Sequence, residues 1–531
     1  MTKNLTLVIK ANQDFIRHAT NSDIKENAPL LNLFFESISN IYLPLLRMIE
    51  KLEAQNVPCR FGIVLPPVLC TLLSDSELKK LYVSYLEKRN DLGKKELRRN
   101  AGNESIIQQI KAEIAANNTL KDEFVNKYHE NLVEAYADCA RKGYIELLGT
   151  CGTDIFMPHY ADIKEVISAQ IECGLHSYRQ SFGTTPEGFW IPDFGYFPGV
   201  EKLVRSYGYT YTILDTRSVL LAETVPQDGI FYPSRTDNSL VIFARDKQID
   251  SELFGEDGFV FKPVYRNQNR DIGFELPIRQ LSPIVQEGSI RYSTGYKYWN
   301  RCFDNEKNSI YDSEKALKQV KDDALTFIKK RSEVLDKASQ LLQKDDFVTC
   351  IVTLGAEKLF GKWHEAISWL EEVFCLAKEY NLNVTTCDKQ CEKQYSLEKI
   401  QPYYSAASGA GYGENLLSSK NCWMMRSIRK ACDRMVDLSN RFTNDTGLKT
   451  RLLNLGAKEL MIAQNLHLAK MINHSELPEF AEKRFKESIS SFTAVFDSLG
   501  SNTVSTEWLT TLEVEDSMFP WMNYRIFSKK R

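Results

Sequence analysis

Short apolar runs alternate with longer amphipathic stretches along most of the chain. Residues 5–10, 61–65, 144–149, 188–191, 209–214, 240–244, 347–354 and 382–385 form such runs, rich in β-branched and aromatic side chains. Several are apolar at consecutive positions, as strands of a parallel sheet covered on both faces are. Between them the apolar positions recur at helical spacing, for example over 163–182 and 363–379. Strand and helix alternating in this way predict a parallel α/β barrel over 1–75 and 140–400.

Two regions break the rhythm. Residues 76–139 are helical in pattern and highly charged, which predicts a helical insertion in a barrel loop. Ser74, Asp75, Ser76 and Glu77 have the form of a capping box, and Leu78, Leu81, Tyr82, Tyr85 and Leu86 follow at helical spacing. From 401 to 531 no run reads as a strand. Phe485, Ile489, Phe492, Phe496 and Leu499 make one apolar stripe, with Gly500 as its stop. A C-terminal all-α domain is the expectation. No internal repeat or low-complexity segment appears.

Charge and composition narrow the function classes. Sixty-seven basic against 70 acidic residues give a net charge of −3, which offers neither a nucleic acid nor an anionic membrane a counterpart. No apolar run has the roughly 18 residues that cross a bilayer. The first residues enter a strand at once, without the apolar stretch of a signal peptide. Most of the 12 cysteines sit in apolar segments, as reduced structural thiols do. Cys387 and Cys391 stand alone as a close pair, which is a poor zinc signal. A cytoplasmic protein without metal or other cofactor is expected, and no Gly-rich phosphate loop is present.

In a parallel barrel, chemistry collects at the C-terminal ends of the strands. That directs attention to Lys10, Asn12, Asp154, Asp193 and the run Gly355-Ala356-Glu357. Around these positions lie recognisable motifs. EGFWIPDFGYFPGVEKLVRSYGYTYTILD (187–215) resembles the third signature of glycoside hydrolase family 57, close to Gly-Phe-Trp-Leu-Pro-Glu-Cys-Ala-Tyr in its branching enzymes. IELLGTCGTDIFMPHY resembles the second, EKLFGKWHE the fourth, and GYGENLLSSKNCWMMR the passage out of the barrel. ELMIAQNLHLAKMI, EFAEKRFKESISSF and EVEDSMFPWMNYR are similar to the branching-enzyme tail. The resemblance runs in order over nearly the whole chain. It implies a (β/α)7 barrel with a helical insertion and a C-terminal helical domain. It also implies retaining chemistry on α-1,4-glucans, with two carboxyl groups about 5–5.5 Å apart, one a nucleophile and one an acid/base.

The residues that should carry that chemistry are mostly replaced. At the nucleophile position, a Glu in the family, stands Asp193, one methylene shorter. The acid/base Asp aligns with Ala356, which transfers no proton. Glu357 is adjacent, but neighbouring residues leaving a strand point to opposite faces. Asp154 stands for His in the second motif, Lys10-Ala11-Asn12 for His-x-His, Lys362 for the His before Trp363, and His467-Leu468 for Asp-Trp. Ala407 stands where a Trp precedes GYGENLL. Lys10, facing Asp154 or Asp193, reads as a salt bridge filling an old sugar site or, alternatively, as part of a new catalytic pair. Trp190, Asp154, Lys10, Trp363 and Trp423 are the candidate glucan contacts, the aromatics because flat rings with polar tips suit sugars. His364-Glu365 reads as a solvated helix start, and His18 as a structural or surface histidine. The expectation is a branching-enzyme-like protein, impaired or inactive, that binds or regulates α-glucan or maltooligosaccharide. The alternative is an active transferase using Asp193 with a relocated acid.

Overall fold

A computed structural model of the chain describes residues 1–16, 24–285, 290–301, 309–342, 346–391, 396–501 and 503–529. His18 and Cys302 lie outside them. Nine strands occur among the described residues: β1 (Thr2–Lys10), β2 (Phe61–Val64), β3 (Ile145–Leu147), β4 (Gly188–Phe189), β5 (Tyr211–Leu214), β6 (Ser234–Arg235), β7 (Val241–Ala244), β8 (Phe347–Gly355) and β9 (Asn383–Val384). One sheet runs β3-β2-β1-β8 and the other β4-β5-β7-β6. Parallel bridges Gly149–Phe189 and Arg245–Ile351 join the two at both seams. Seven parallel strands, β1 to β5 with β7 and β8, thus form the barrel ring. β6 pairs antiparallel to β7 from outside, and β9 pairs only with Asn4 and Leu5 of β1.

The consecutive apolar positions in the strands follow from burial on both sides. Val8, Val64, Leu148, Trp190, Tyr211, Ile213, Val241, Phe243 and Ile351 form one buried cluster, drawn from five ring strands and from the residues just after β3 and β4, which is the barrel interior. Their neighbours Leu7, Ile9, Ile63, Leu147, Leu214, Ile242 and Val352 belong to a second cluster shared with the outer helices. Side chains alternate across a strand, so both sets must be apolar once helices cover the outside.

The first insertion helix, Ser76–Arg99, starts one residue later than the motif suggested. Asp75 is its N-cap, accepting from the Glu77 and Leu78 amides at 2.9 Å each. Leu81 points to solvent at 45% exposure, so it leaves the predicted stripe, while Leu78, Tyr82, Tyr85 and Leu86 are buried. With helix Glu104–Asp122 it packs on the 272–298 stretch, where Leu92, Ile106 and Ile110 meet Ile272, Leu281, Tyr296 and Tyr298. The sequence reading missed this second excursion because its apolar residues follow neither period.

After residue 401 the described elements are helical, chiefly Trp423–Arg441, Leu448–Ala463, Leu466–His474, Pro478–Ser501 and Thr506–Glu515. Gly500 is the next-to-last residue of its helix, which ends at Ser501. No helix among the described residues is long and apolar enough to cross a membrane.

Candidate functional site

Strand ends β1, β3, β4 and β8, the 405–413 loop and helix Leu466–His474 converge at the barrel mouth. Asp193 follows β4 in a short turn where it and Phe194 both adopt left-handed backbone, at φ 53° and 51°. Such geometry costs about 1–2 kcal/mol per non-glycine residue and persists where its surroundings hold it. The hold is visible. The Asp193 carbonyl accepts from the Ala407 amide at 2.7 Å. Its carboxylate accepts from Ser408 Oγ at 2.7 Å, Ser408 N at 3.2 Å and Lys470 Nζ at 2.7 Å. With its side chain 7% exposed, the carboxylate is neutralised and largely enclosed.

Lys10 meets Asp154, not Asp193. Its Nζ donates to Asp154 Oδ2 at 3.0 Å and to the Ala11 carbonyl at 2.7 Å. Asp154 Oδ1 is buried without a donor among the described residues. Next to this pair His467 Nδ1 contacts Asp14 Oδ2 at 2.5 Å, and Asn465 donates to Asp14 Oδ1 at 3.3 Å. Burial opposes charge on His467, but the Asp14 carboxylate outweighs it and raises the imidazole pKa.

Ala356 is fully buried. Glu357 is turned into its own hydrogen bonds. Its carboxyl accepts from Tyr42 OH at 2.6 Å and from the Asn12 amide at 2.7 Å. Burial pushes its pKa up to about 7, against the lowering effect of those bonds and of Lys10.

The aromatic candidates separate by position. Trp190 is 6% exposed in the barrel interior, with its ring 4.7 Å from Phe194. Trp363 is 1% exposed among Tyr265 and Trp369, which leaves no ring face for a sugar. Trp423, 36% exposed, stands edge-on to Phe485 of the C-terminal domain, with Lys486 5.6 Å from its ring. Packing, not ligand stacking, accounts for the first two. The expected solvated helix start at His364-Glu365 is also corrected. Glu365 is 4% exposed and accepts from the Arg266 amide at 3.2 Å, so it is enclosed by remote chain. Among the described residues no group of three or more His, Cys, Asp or Glu side chains could hold a metal.

Lys470, Ser408, Asp14 and Tyr42 escaped the sequence reading. Lys470 lies three residues beyond His467 on one helix, hence on the same face. The replacement of the family's Asp-Trp pair there was the signal to examine its neighbours.

The glycosyl hydrolase family 57 profile matches residues 6–399, and that of the 1,4-alpha-glucan branching enzyme C-terminal region matches 427–527. A 1,4-alpha-glucan branching enzyme of Thermococcus kodakarensis is 24% identical over 492 residues, spanning 85% of this chain and 67% of its own. Among solved structures, the alpha-amylase AmyC of Thermotoga maritima superposes with a TM-score of 0.92 at 24% identity, over all of both chains. A branching enzyme of the same family from Pyrococcus horikoshii gives 0.87 at 20% identity, over 100% of this chain and 98% of its own. At these identities the superpositions speak for the fold.

Proposed function

Because the chain belongs to glycosyl hydrolase family 57, we propose that it is a branching-enzyme-like member that no longer performs glycosyl transfer and acts by binding or regulating α-glucan. The observation that carries this reading is the state of the two positions retaining chemistry needs. Asp193 has both carboxylate oxygens engaged, by Ser408 and Lys470, and Ala356 is a buried methyl. A nucleophile must be free to attack, and a leaving oxygen must receive a proton from a group within hydrogen-bond reach. Misplacement by one methylene alone costs on the order of 100-fold. Free thiols throughout the described cysteines favour a cytoplasmic setting.

One observation favours the rival reading, an active transferase. A carboxyl with a pKa of about 7, as at Glu357, suits a general acid. Against it, both Glu357 oxygens already accept bonds from Tyr42 and Asn12. Purified protein incubated with amylose, followed by iodine stain and chain-length analysis, separates the two readings. Wild type and Asp193→Ala should be equally inert, while maltooligosaccharide still binds in calorimetry. Branching or shortening of amylose that Asp193→Ala or Glu357→Gln abolishes would overturn the inactive reading.

A further inference from the structure

The rim beside Asp193 carries aromatic rings that the core leaves open. Residues 401–413, QPYYSAASGAGYG, hold no charged side chain in a chain that is 26% charged. Within this run Tyr403, Tyr404 and Tyr412 are 43%, 52% and 46% exposed. Single exposed apolar residues are ordinary, whereas a group of large ones marks a contact surface. The backbone that carries them is anchored. Tyr403 N donates to the Ser218 carbonyl at 2.9 Å, and Ser218 Oγ donates to the Tyr403 carbonyl at 2.9 Å. The adjacent Arg217 places its guanidinium 4.8 Å from the centre of the Tyr412 ring. Consecutive residues of one short helix, Thr216–Leu220, therefore hold both parts of the run together. Tyr403 and Tyr404 stand edge to face, with 5.9 Å between ring centroids. Ser405 pairs with Tyr196 in an antiparallel bridge, and Ala407 and Ser408 bond Asp193, so the run leads directly out of the Asp193 turn. Among the described residues the three phenol hydroxyls have no hydrogen-bond partner.

We propose that Tyr403, Tyr404 and Tyr412 form a stacking platform for a neutral α-1,4-glucan chain on the rim of the barrel. A pyranose offers apolar C–H faces bounded by hydroxyl-bearing edges. A phenol ring covers such a face while its hydroxyl bonds an edge. An uncharged surface with free hydroxyls suits a neutral, hydroxyl-rich polymer and gives an ionic partner nothing to pair with. Rings on an anchored backbone lose little further freedom when a chain settles on them. Trp190 and Trp363 are packed in the interior, so the rim supplies the ring faces that they do not. The platform lies outside Asp193 and Ala356, so it holds glucan without acting on it. The inference deepens the binding role proposed above and rests on it.

Titration calorimetry on the full chain with maltotriose and maltoheptaose, at low and high salt, tests it. Wild type should bind maltoheptaose more tightly than maltotriose, because successive glucose units meet successive rings. Salt should change neither affinity, since the ligand is neutral. Tyr403→Ala/Tyr404→Ala should lose about 10-fold or more in affinity for maltoheptaose, as the removal of aromatic anchors does. Tyr403→Phe/Tyr404→Phe, which keeps the rings, should retain most of it. Both variants should melt as the wild type does, since the side chains are exposed. Equal affinity for maltoheptaose in wild type and the double alanine variant would overturn the platform and leave the binding role standing elsewhere on the chain. A wild-type dimer that the double alanine variant dissolves, with glucan affinity unchanged, would assign the rings to protein contact instead. No binding by the wild type would overturn the binding role and the platform with it. The amylose assay reads catalysis alone, so its outcome is separate from all of these.

Discussion

The barrel treats two sets of enclosed carboxyls in opposite ways. At the mouth, Asp154 and Asp193 are each given a lysine and Asp14 a histidine. At the far end Glu146 of β3 has no cation. It accepts from Tyr211 OH and from the Cys387 and Asp388 amides, the latter at 3.1 and 3.3 Å. Burial, reinforced by the Asp388 charge, pushes its pKa up to about 8. Asp154, Asp193 and Asp14 are thus neutralised by pairing, whereas Glu146, like Glu357 at the mouth, meets a phenol and backbone amide donors while burial raises its pKa. The paired carboxyls meet lysines that keep some contact with solvent, Lys10 at 10% and Lys470 at 29% exposure. The closed end tolerates its lone carboxyl because amides and a phenol satisfy it.

Four substitutions probe that contrast. The largest effect is expected from Ala356→Asp, which places a carboxylate in a fully buried site with no cation assigned to it. About 3–5 kcal/mol of destabilisation should follow in chemical denaturation. A tolerated Asp would break the comparison, because the acid position would then be open to a polar group.

Glu146→Gln comes next. The folded pKa of Glu146, about 8, lies above its ordinary 4.5. The stability this neutral carboxyl contributes is complete below about pH 4.5 and is lost as pH climbs through about 8. The wild type should therefore lose on the order of 3 kcal/mol over that window, and the variant should show a flatter profile. Identical profiles would mean that Glu146 does not take up a proton on folding.

Lys470→Ala leaves Asp193 with Ser408 as its remaining donor. Because Lys470 is 29% exposed, the loss is smaller than for a fully buried pair, about 1–3 kcal/mol by denaturation midpoint. An unchanged midpoint would place the pair among surface contacts and weaken the view of a neutralised mouth. The smallest effect belongs to Lys358→Gln/Lys362→Gln, within about 0.5 kcal/mol of wild type or slightly stabilising, since a like-charge pair is relieved.

The strand pattern was legible because several ring strands are apolar at consecutive positions, and the candidate mouth residues Lys10, Asp154 and Asp193 were found from strand ends. Pairing partners were not legible. Nothing local ties Lys470 to Asp193, 277 positions apart, or Tyr42 to Glu357, 315 apart. Trp363 was misread as a sugar contact because an aromatic in a motif looks alike whether its ring is packed or open. Glu365 was misread as solvated because its partner Arg266 lies 99 positions away.

By itself the sequence determined the alternation of strand and helix and the family, since these depend on residue type and short-range spacing. Only the tertiary structure decided that Lys10 takes Asp154, that Lys470 and Ser408 hold Asp193, and that Glu357 turns to Tyr42. Coulombic pairing and desolvation depend on distance and burial, and closure of the ring sets both by bringing remote strand ends together.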